Sequence, residues 1–170
     1  MVSTGDVAGA IGRGLAAGVV GTAAMTVSST LEMKIRGREA SSAPAAAAAK
    51  VLGVEPTSEE AKARFATLVH WAYGTGWGAV RGVLGAVRLG GPLATPAHLA
   101  TVWGSELVLL PALGVAPPLR EWGARELAID VFHHAVYATA TGLAYGWLTS
   151  HSGDRGRGVR IRYRWAVAGS

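Results

Sequence analysis

The sequence predicts an all-α fold: an integral membrane bundle of four transmembrane helices with a short surface helix in the first loop. Half of the 170 residues are hydrophobic, and the mean hydropathy is +0.30. Only 16% of the residues are charged, below the roughly 25% that is typical of soluble domains. The apolar residues also form long runs instead of the short periodic patterns of soluble helices.

Four apolar runs are long enough to cross a bilayer core, which takes about 17 to 25 helical residues. We expect transmembrane spans at about residues 14–31, 65–87, 96–115 and 127–148, within one domain that covers residues 1–150. A signal peptide is the rival interpretation of the first run, but no convincing cleavage site follows it. Four spans place both termini on the same side of the membrane.

The ends of the predicted helices follow from local signals. The first loop is polar between residues 41 and 64, and the alanine run after Pro44 predicts the short surface helix. Thr95 and Pro96 predict the start of the third span, as a capping residue followed by a proline in the first helical position. Pro111 is expected to kink that helix before it ends.

Residues 151–170 are expected to form a basic cytoplasmic tail. The formal net charge is +5, and the tail contributes five arginines: Arg155, Arg157, Arg160, Arg162 and Arg164. A polybasic segment beside a membrane helix is typical of a cytoplasmic end that contacts anionic lipid, and we do not expect nucleic acid as a partner. The first loop is also basic, so the distribution of positive charge supports this orientation only in part.

Glycines recur at helical spacing inside the first two spans, where they allow close packing between helices. The predicted packing residues are Gly14, Gly18, Gly21, Gly74, Gly78 and Gly82.

Ionisable side chains inside a membrane usually face the protein interior, because exposure to lipid costs several kcal/mol. We predict one buried polar cluster composed of His70, Glu106, Asp130, His133, His134 and Tyr137. Asp130 and His134 are four residues apart and therefore share a helix face. The cluster is interpreted either as a titratable or ligand-binding site or as a set of structural hydrogen bonds between helices.

Arg81 and His98 fall near the opposite side of the predicted membrane domain. They form a candidate anion-binding or structural site, and Arg81 could instead extend its guanidinium to the interface.

No cofactor and no catalytic residue are predicted. The spacing leaves open a haem with His70 and His134 as axial ligands, and a metal ion held by Glu106, Asp130 and His134. No zinc-protease motif is present, and Gly104-Ser105-Glu106 lacks the second glycine of a nucleophile elbow. The absence of cysteine excludes disulfides and thiolate ligands.

The segment from Trp103 through Pro111 to Pro118 resembles a YagU-like family of small bacterial inner-membrane proteins. The segments His70-Trp-Ala-Tyr-Gly74 and His134-Ala-Val-Tyr137 are similar to the histidine-containing segments of that family. The resemblance spans about residues 14–148. It implies a multi-pass protein of the bacterial inner membrane and a loose association with acid resistance, with no settled molecular activity.

The leading functional hypothesis is a non-enzymatic protein that moves protons or a small solute through its titratable cluster, in the lipid bilayer and as a homo-oligomer. The rival is an accessory or structural subunit of a larger membrane complex. The two differ in where the glycine stripes point, because an accessory subunit presents them to partner helices.

Overall fold

The computed structural model describes the backbone of residues 3–167, and their side chains except those of residue 92 and residues 153–167. Within these residues the chain is all-helical, with five α-helices and no strand, which confirms the predicted class. The helices are α1 (Thr4–Arg36), α2 (Ala43–Leu52), α3 (Glu59–Ala86), α4 (Ala94–Ala112) and α5 (Ala124–Val167). Two short 3-10 segments, Gly91–Leu93 and Leu119–Glu121, precede α4 and α5.

Helix α1 has well-defined ends. The Ser3 side chain accepts a hydrogen bond from the main-chain N–H of Asp6, and the Asp6 carboxylate accepts one from the main-chain N–H of Ser3, which forms a capping box. At its other end α1 carries Lys34 and Arg36, whose positive charges are favourable near a helix C-terminus. With 33 residues and a rise of about 1.5 Å per residue, α1 is roughly 50 Å long.

Helices α1 and α3 pack against each other in antiparallel orientation through glycine. A Cβ atom placed on Gly78 would lie 2.6 Å from the Cα atom of Gly18 and would also meet the carbonyl oxygen of Gly14. Further along the contact, a Cβ atom on Gly82 would meet the backbone of Ala10. The two backbones are therefore in direct contact, a proximity that only glycine permits.

The other face of α1 packs against α5. Gly21 lies against Tyr137 and Thr141, so that a side chain at this position would collide with both. Helix α4 packs mainly against α5, where Thr95 lies beside Gly142, and it also touches α3. The structure thus places all six predicted packing glycines in contacts between helices of the same chain.

The start of α4 differs from the prediction that Thr95 caps the helix. The N-cap is Leu93, without a side-chain hydrogen bond, and the helix begins at Ala94. The reason is the 3-10 turn of Gly91–Leu93, which leads directly into α4 and places Thr95 and Pro96 inside the first turn.

The C-terminal end of α4 comes at Ala112, a little before the expected end of the third span. Gly114 has a positive φ of 66° and turns the chain away, a conformation that favours glycine. Pro111 lies in the last turn of the helix.

Helix α2 is the predicted short surface helix. Lys50 near its end donates a hydrogen bond of 2.7 Å to the carbonyl oxygen of Leu113. This bond connects the first loop to the end of α4.

Helix α5 continues beyond the predicted end of the fourth span, since its backbone is helical through Val167. The side chains of the five arginines in the predicted basic tail lie outside the described residues, as do residues 168–170 entirely. The interpretation of residues 151–170 as a cytoplasmic tail therefore stays a prediction.

Within the described part of the chain, one helix, α1, is long and apolar enough to cross a membrane. A single helix of this kind near the N-terminus is weak evidence of insertion, because core helices of soluble proteins and signal sequences pass the same test. The transmembrane character of α3, α4 and α5 stays a prediction.

The contact between α1 and α3 leads to a matched pair of substitutions on α3. We expect Gly78→Ala to lower the free energy of unfolding by about 1–3 kcal/mol or more, because a methyl group would be forced into a backbone contact. Gly76→Ala is the control, because Gly76 is exposed with no atom within 4 Å of an added Cβ. The control should stabilise α3 by up to about 1 kcal/mol through helix propensity. Thermal unfolding of both purified variants measures this difference, and equal melting temperatures would contradict the close contact.

Candidate functional site

The centre of the candidate site is an acid-base pair between α4 and α5. Glu106 Oε2 lies 2.6 Å from Nε2 of His134. The other ring nitrogen of His134, Nδ1, lies 2.9 Å from the main-chain oxygen of Asp130, one helical turn earlier. The His134 side chain is only 8% exposed, so both contacts are largely shielded from the surroundings.

These contacts determine how many protons the pair carries. A carbonyl oxygen can only accept a hydrogen bond, so Nδ1 of His134 must carry a hydrogen and donate it. A separation of 2.6 Å between Nε2 and Glu106 Oε2 requires one further proton between them. That proton belongs either to an imidazolium that faces a carboxylate or to a carboxylic acid that donates to a neutral imidazole. In both states the pair holds one exchangeable proton.

Asp130 is held beside this pair by a tryptophan. The indole N–H of Trp103 donates a hydrogen bond of 2.7 Å to Asp130 Oδ2, and the same oxygen lies 3.7 Å from Nδ1 of His134. The side chains of Glu106 and Asp130 are 17% and 26% exposed, so the site reaches the outer surface between α4 and α5. A shallow apolar groove of about 490 Å³ on α3 contains no residue of this site.

A second histidine of α5 faces α1 instead. Nδ1 of His133 lies 2.9 Å from the Ser28 hydroxyl, whose own hydrogen is donated to the carbonyl oxygen of Met25. His133 therefore donates from Nδ1 to Ser28, and its Nε2 lies 3.8 Å from Glu32.

Glu32 forms an ion-pair network at the end of α1. Its carboxylate accepts hydrogen bonds from Arg36 at 2.9 Å and from Arg38 at 3.0 Å and 2.5 Å. Hydrogen bonding to Glu32 raises the pKa of Arg38 above its already high ordinary value, so this guanidinium stays charged. Arg36 also lies 3.7 Å from Glu126 of α5, which connects the network to the start of that helix.

His70 and Tyr137 occupy two further positions along the α1–α3–α5 contacts. Nε2 of His70 lies 2.8 Å from the Thr26 hydroxyl, which donates its hydrogen to the carbonyl oxygen of Thr22. The Tyr137 hydroxyl donates a hydrogen bond of 2.6 Å to the carbonyl oxygen of Gly74. The six predicted cluster residues thus divide into the Glu106–Asp130–His134 site and three separate interhelical contacts of His70, His133 and Tyr137.

Arg81 and His98 lie towards the other end of the molecule, away from Glu106. His98 is fully buried, and its Nε2 lies 3.0 Å from the carbonyl oxygen of Trp77. The guanidinium carbon of Arg81 lies 4.5 Å from the centre of the Tyr145 ring. No acidic side chain among the described residues pairs with Arg81.

Glu106, Asp130 and His134 are the described side chains that could hold a metal ion, because one ligand atom of each lies within 4.8 Å of the others. Around a tetrahedral ion with nitrogen and oxygen ligands at about 2.0–2.2 Å, the nitrogen and the oxygen lie roughly 3.3–3.6 Å apart. The observed distance of 2.6 Å is shorter. The site has the geometry of a shared proton.

The haem alternative does not fit the arrangement either. Both ring nitrogens of His134 have partners, Glu106 and the Asp130 carbonyl, so binding of iron at Nε2 would have to displace Glu106. His70 binds Thr26 in a different interhelical contact.

Comparison of the chain with models of known protein families, with curated proteins and with solved structures finds no match.

Three partners of the predicted site residues were not included in the predicted cluster: Thr26, Ser28 and Trp103. All three belong to the predicted spans, but a helical sequence does not show which face points to which neighbour. The signal available in the sequence is the spacing of Thr22, Thr26 and Ser28, which places hydroxyls on nearby faces of α1.

We expect the bond between Trp103 and Asp130 to appear as coupling in a double-mutant cycle. Trp103→Phe combined with Asp130→Ala should give a coupling of about 1.5–3 kcal/mol in the free energy of unfolding, since a hydrogen bond to a charged group contributes that much. The matched cycle replaces Trp103→Phe with Trp71→Phe, a partly exposed tryptophan on α3. That cycle should show no coupling, and similar coupling energies in the two cycles would refute the bond.

Proposed function

We propose that the chain is a multi-pass protein of the bacterial inner membrane, with α1, α3, α4 and α5 as its four membrane-spanning helices. The supporting observation is an inverted distribution of polarity. The largest fully buried side chains are polar or amphipathic: Tyr137, His98, Thr22 and Thr141. Large apolar side chains lie on the outer faces of all four helices, among them Val20, Val27, Leu68, Val83, Val108, Phe132 and Leu143. A soluble protein gains stability by burying its large apolar side chains, whereas a lipid environment favours apolar side chains on the outside.

The helix lengths are compatible with this proposal. Helix α4, the shortest of the four, has 19 residues and is roughly 28 Å long, close to the thickness of a bilayer core of about 30 Å. Antiparallel packing of consecutive long helices places both termini on one side, which we assign to the cytoplasm from the basic C-terminal segment. Membership of the YagU-like family is part of this proposal and rests on the short segments that resemble it.

We propose that the membrane domain moves protons, or a small solute coupled to them, through the Glu106–His134 pair. The observation that carries the proposal is the 2.6 Å contact, which holds one exchangeable proton between two groups of different charge type. Asp130, beside the pair, stabilises positive charge on the imidazole in the state where the proton resides there.

A second ionisable contact lies near one end of the molecule, on the face of α5 that packs against α1. His133 precedes His134 on α5, and its Nε2 lies 3.8 Å from Glu32, which belongs to the ion-pair network at the end of α1. On the other side, the partial exposure of Glu106 and Asp130 opens the site towards the surface between α4 and α5. A second copy of the chain packed on this surface would shield the acidic groups from lipid, which favours a homo-oligomer.

The accessory-subunit hypothesis is less well supported by the packing. It expects the glycine stripes to face partner helices, but Gly14, Gly18 and Gly78 are buried between α1 and α3 of the same chain. Those glycines have no surface left for another protein.

Proton flux into proteoliposomes tests the proposed function. We expect Glu106→Gln to reduce flux at least tenfold, because a glutamine cannot release the shared proton, and His134→Ala to have a similar effect. The control is Glu121→Gln, an exposed glutamate in the turn between α4 and α5, which should leave the flux unchanged. Wild-type flux at the level of empty liposomes, with the protein folded, would contradict proton movement and leave the accessory-subunit hypothesis ahead. An absorption spectrum of the same sample should lack a Soret band.

A further inference from the structure

Arg81 is a buried cation that the proposed proton site does not use. The residue is 7% exposed, and its Nε and Nη1 atoms are buried without a hydrogen-bond partner in the structure. A buried charge without a partner costs several kcal/mol, so such a group requires compensation from its surroundings. The Tyr145 ring provides part of it, with the guanidinium carbon 4.5 Å from the ring centre. The two nitrogen donors remain unsatisfied.

No described acidic side chain forms an ion pair with Arg81. Nine of the eleven acidic residues of the chain fall between Glu32 and Asp130, at the other end of the helices or in the loops there. Among the described acidic side chains, only Asp6 lies at the Arg81 end, and it is engaged with Ser3 in the capping box of α1.

The start of α4 lies at the same level as Arg81. His98 contacts the Trp77 carbonyl, and because α3 and α4 are antiparallel, one turn further along α3 from Trp77 corresponds to one turn earlier in α4. This places Arg81 level with the first turn of α4, whose N-cap Leu93 makes no side-chain hydrogen bond. The Ala94 N–H of that turn bonds to the Gly91 carbonyl, and Pro96 has no N–H. A helix N-terminus carries partial positive charge and favours anions.

We propose that Arg81, at the level of the positive end of the α4 dipole, binds a phosphate group. The guanidinium donates hydrogen bonds to phosphate oxygens while it stacks on Tyr145, and the partial positive charge at the start of α4 adds attraction for the anion. Arg81 lies five residues before the end of α3 at Ala86, roughly 7.5 Å along the helix. That depth is within reach of the headgroup of an anionic phospholipid and also of free phosphate from the aqueous phase. The site is at the opposite end of the molecule from Glu106, so phosphate binding there does not depend on proton movement.

The test measures phosphate binding by purified protein in a non-ionic detergent. Equilibrium dialysis with inorganic phosphate, and native mass spectrometry after incubation with phosphatidylglycerol or phosphatidylcholine, should show one bound phosphate group per chain. We expect Arg81→Gln to weaken binding at least tenfold, because each charge-assisted hydrogen bond contributes a factor of this size. The matched control is Arg88→Gln, an exposed arginine just after α3, which should bind like the wild type.

The outcomes separate the two sources of phosphate. Binding of inorganic phosphate supports a soluble anion, and retention of phosphatidylglycerol alone supports a lipid headgroup. Should Arg81→Gln fail to fold, Arg81→Lys keeps the charge but loses the planar stack and the fork of donors, and it should bind severalfold more weakly than the wild type. The proposal is overturned if the wild type binds neither inorganic phosphate nor a phospholipid, or if folded Arg81 variants bind as well as the wild type.

Discussion

The direct backbone contact between α1 and α3 is the constraint on which the rest of the structure depends. Gly14 and Gly18 of α1 meet Gly78 and Gly82 of α3 with no side chain between them. This proximity fixes the rotation of α1, so that its hydroxyl-bearing face points to the histidines of α3 and α5. It also leaves α1 in the middle, with α3 on one face and α5 on the other.

The hydroxyl groups on that face of α1 determine which ring nitrogens of the neighbouring histidines carry a proton. Thr22, Thr26 and Ser28 each donate their hydrogen to a carbonyl oxygen of their own helix. The oxygens of Thr26 and Ser28 can therefore only accept from the neighbouring helix, and a histidine N–H is the donor that meets each of them. His134 differs from these histidines because its second ring nitrogen lies within hydrogen-bond distance of an ionisable group, 2.6 Å from Glu106. The second ring nitrogen of His133 lies 3.8 Å from Glu32, beyond that distance. That difference makes this pair the position where a proton can be exchanged.

The sequence predicted the helical class, the surface helix and the residues with which helices pack, because these follow from composition, breakers and glycine spacing. It did not predict the start of α4, where the 3-10 turn of Gly91–Leu93 overrides the capping signal of Thr95. The sequence also did not predict which side chains the histidines contact. Glu106, Asp130 and His134 do lie together, whereas His70 and His133 face α1, because side-chain partners depend on helix rotation, which spacing along one chain does not define.

The central claim is that the outer faces of the long helices contact lipid while the polar side chains face inward. The chain contains no cysteine, so single cysteines can be introduced without background labelling. Val20, Val108 and Leu143 lie exposed on α1, α4 and α5, and Val51 is also exposed, on the surface helix α2. The measurement is the rate at which a charged, water-soluble maleimide labels a cysteine at each position in sealed vesicles. The account predicts fast labelling at position 51 and at least tenfold slower labelling at positions 20, 108 and 143, all four becoming equally reactive after denaturation. Equally fast labelling at all four positions in the folded protein would contradict it.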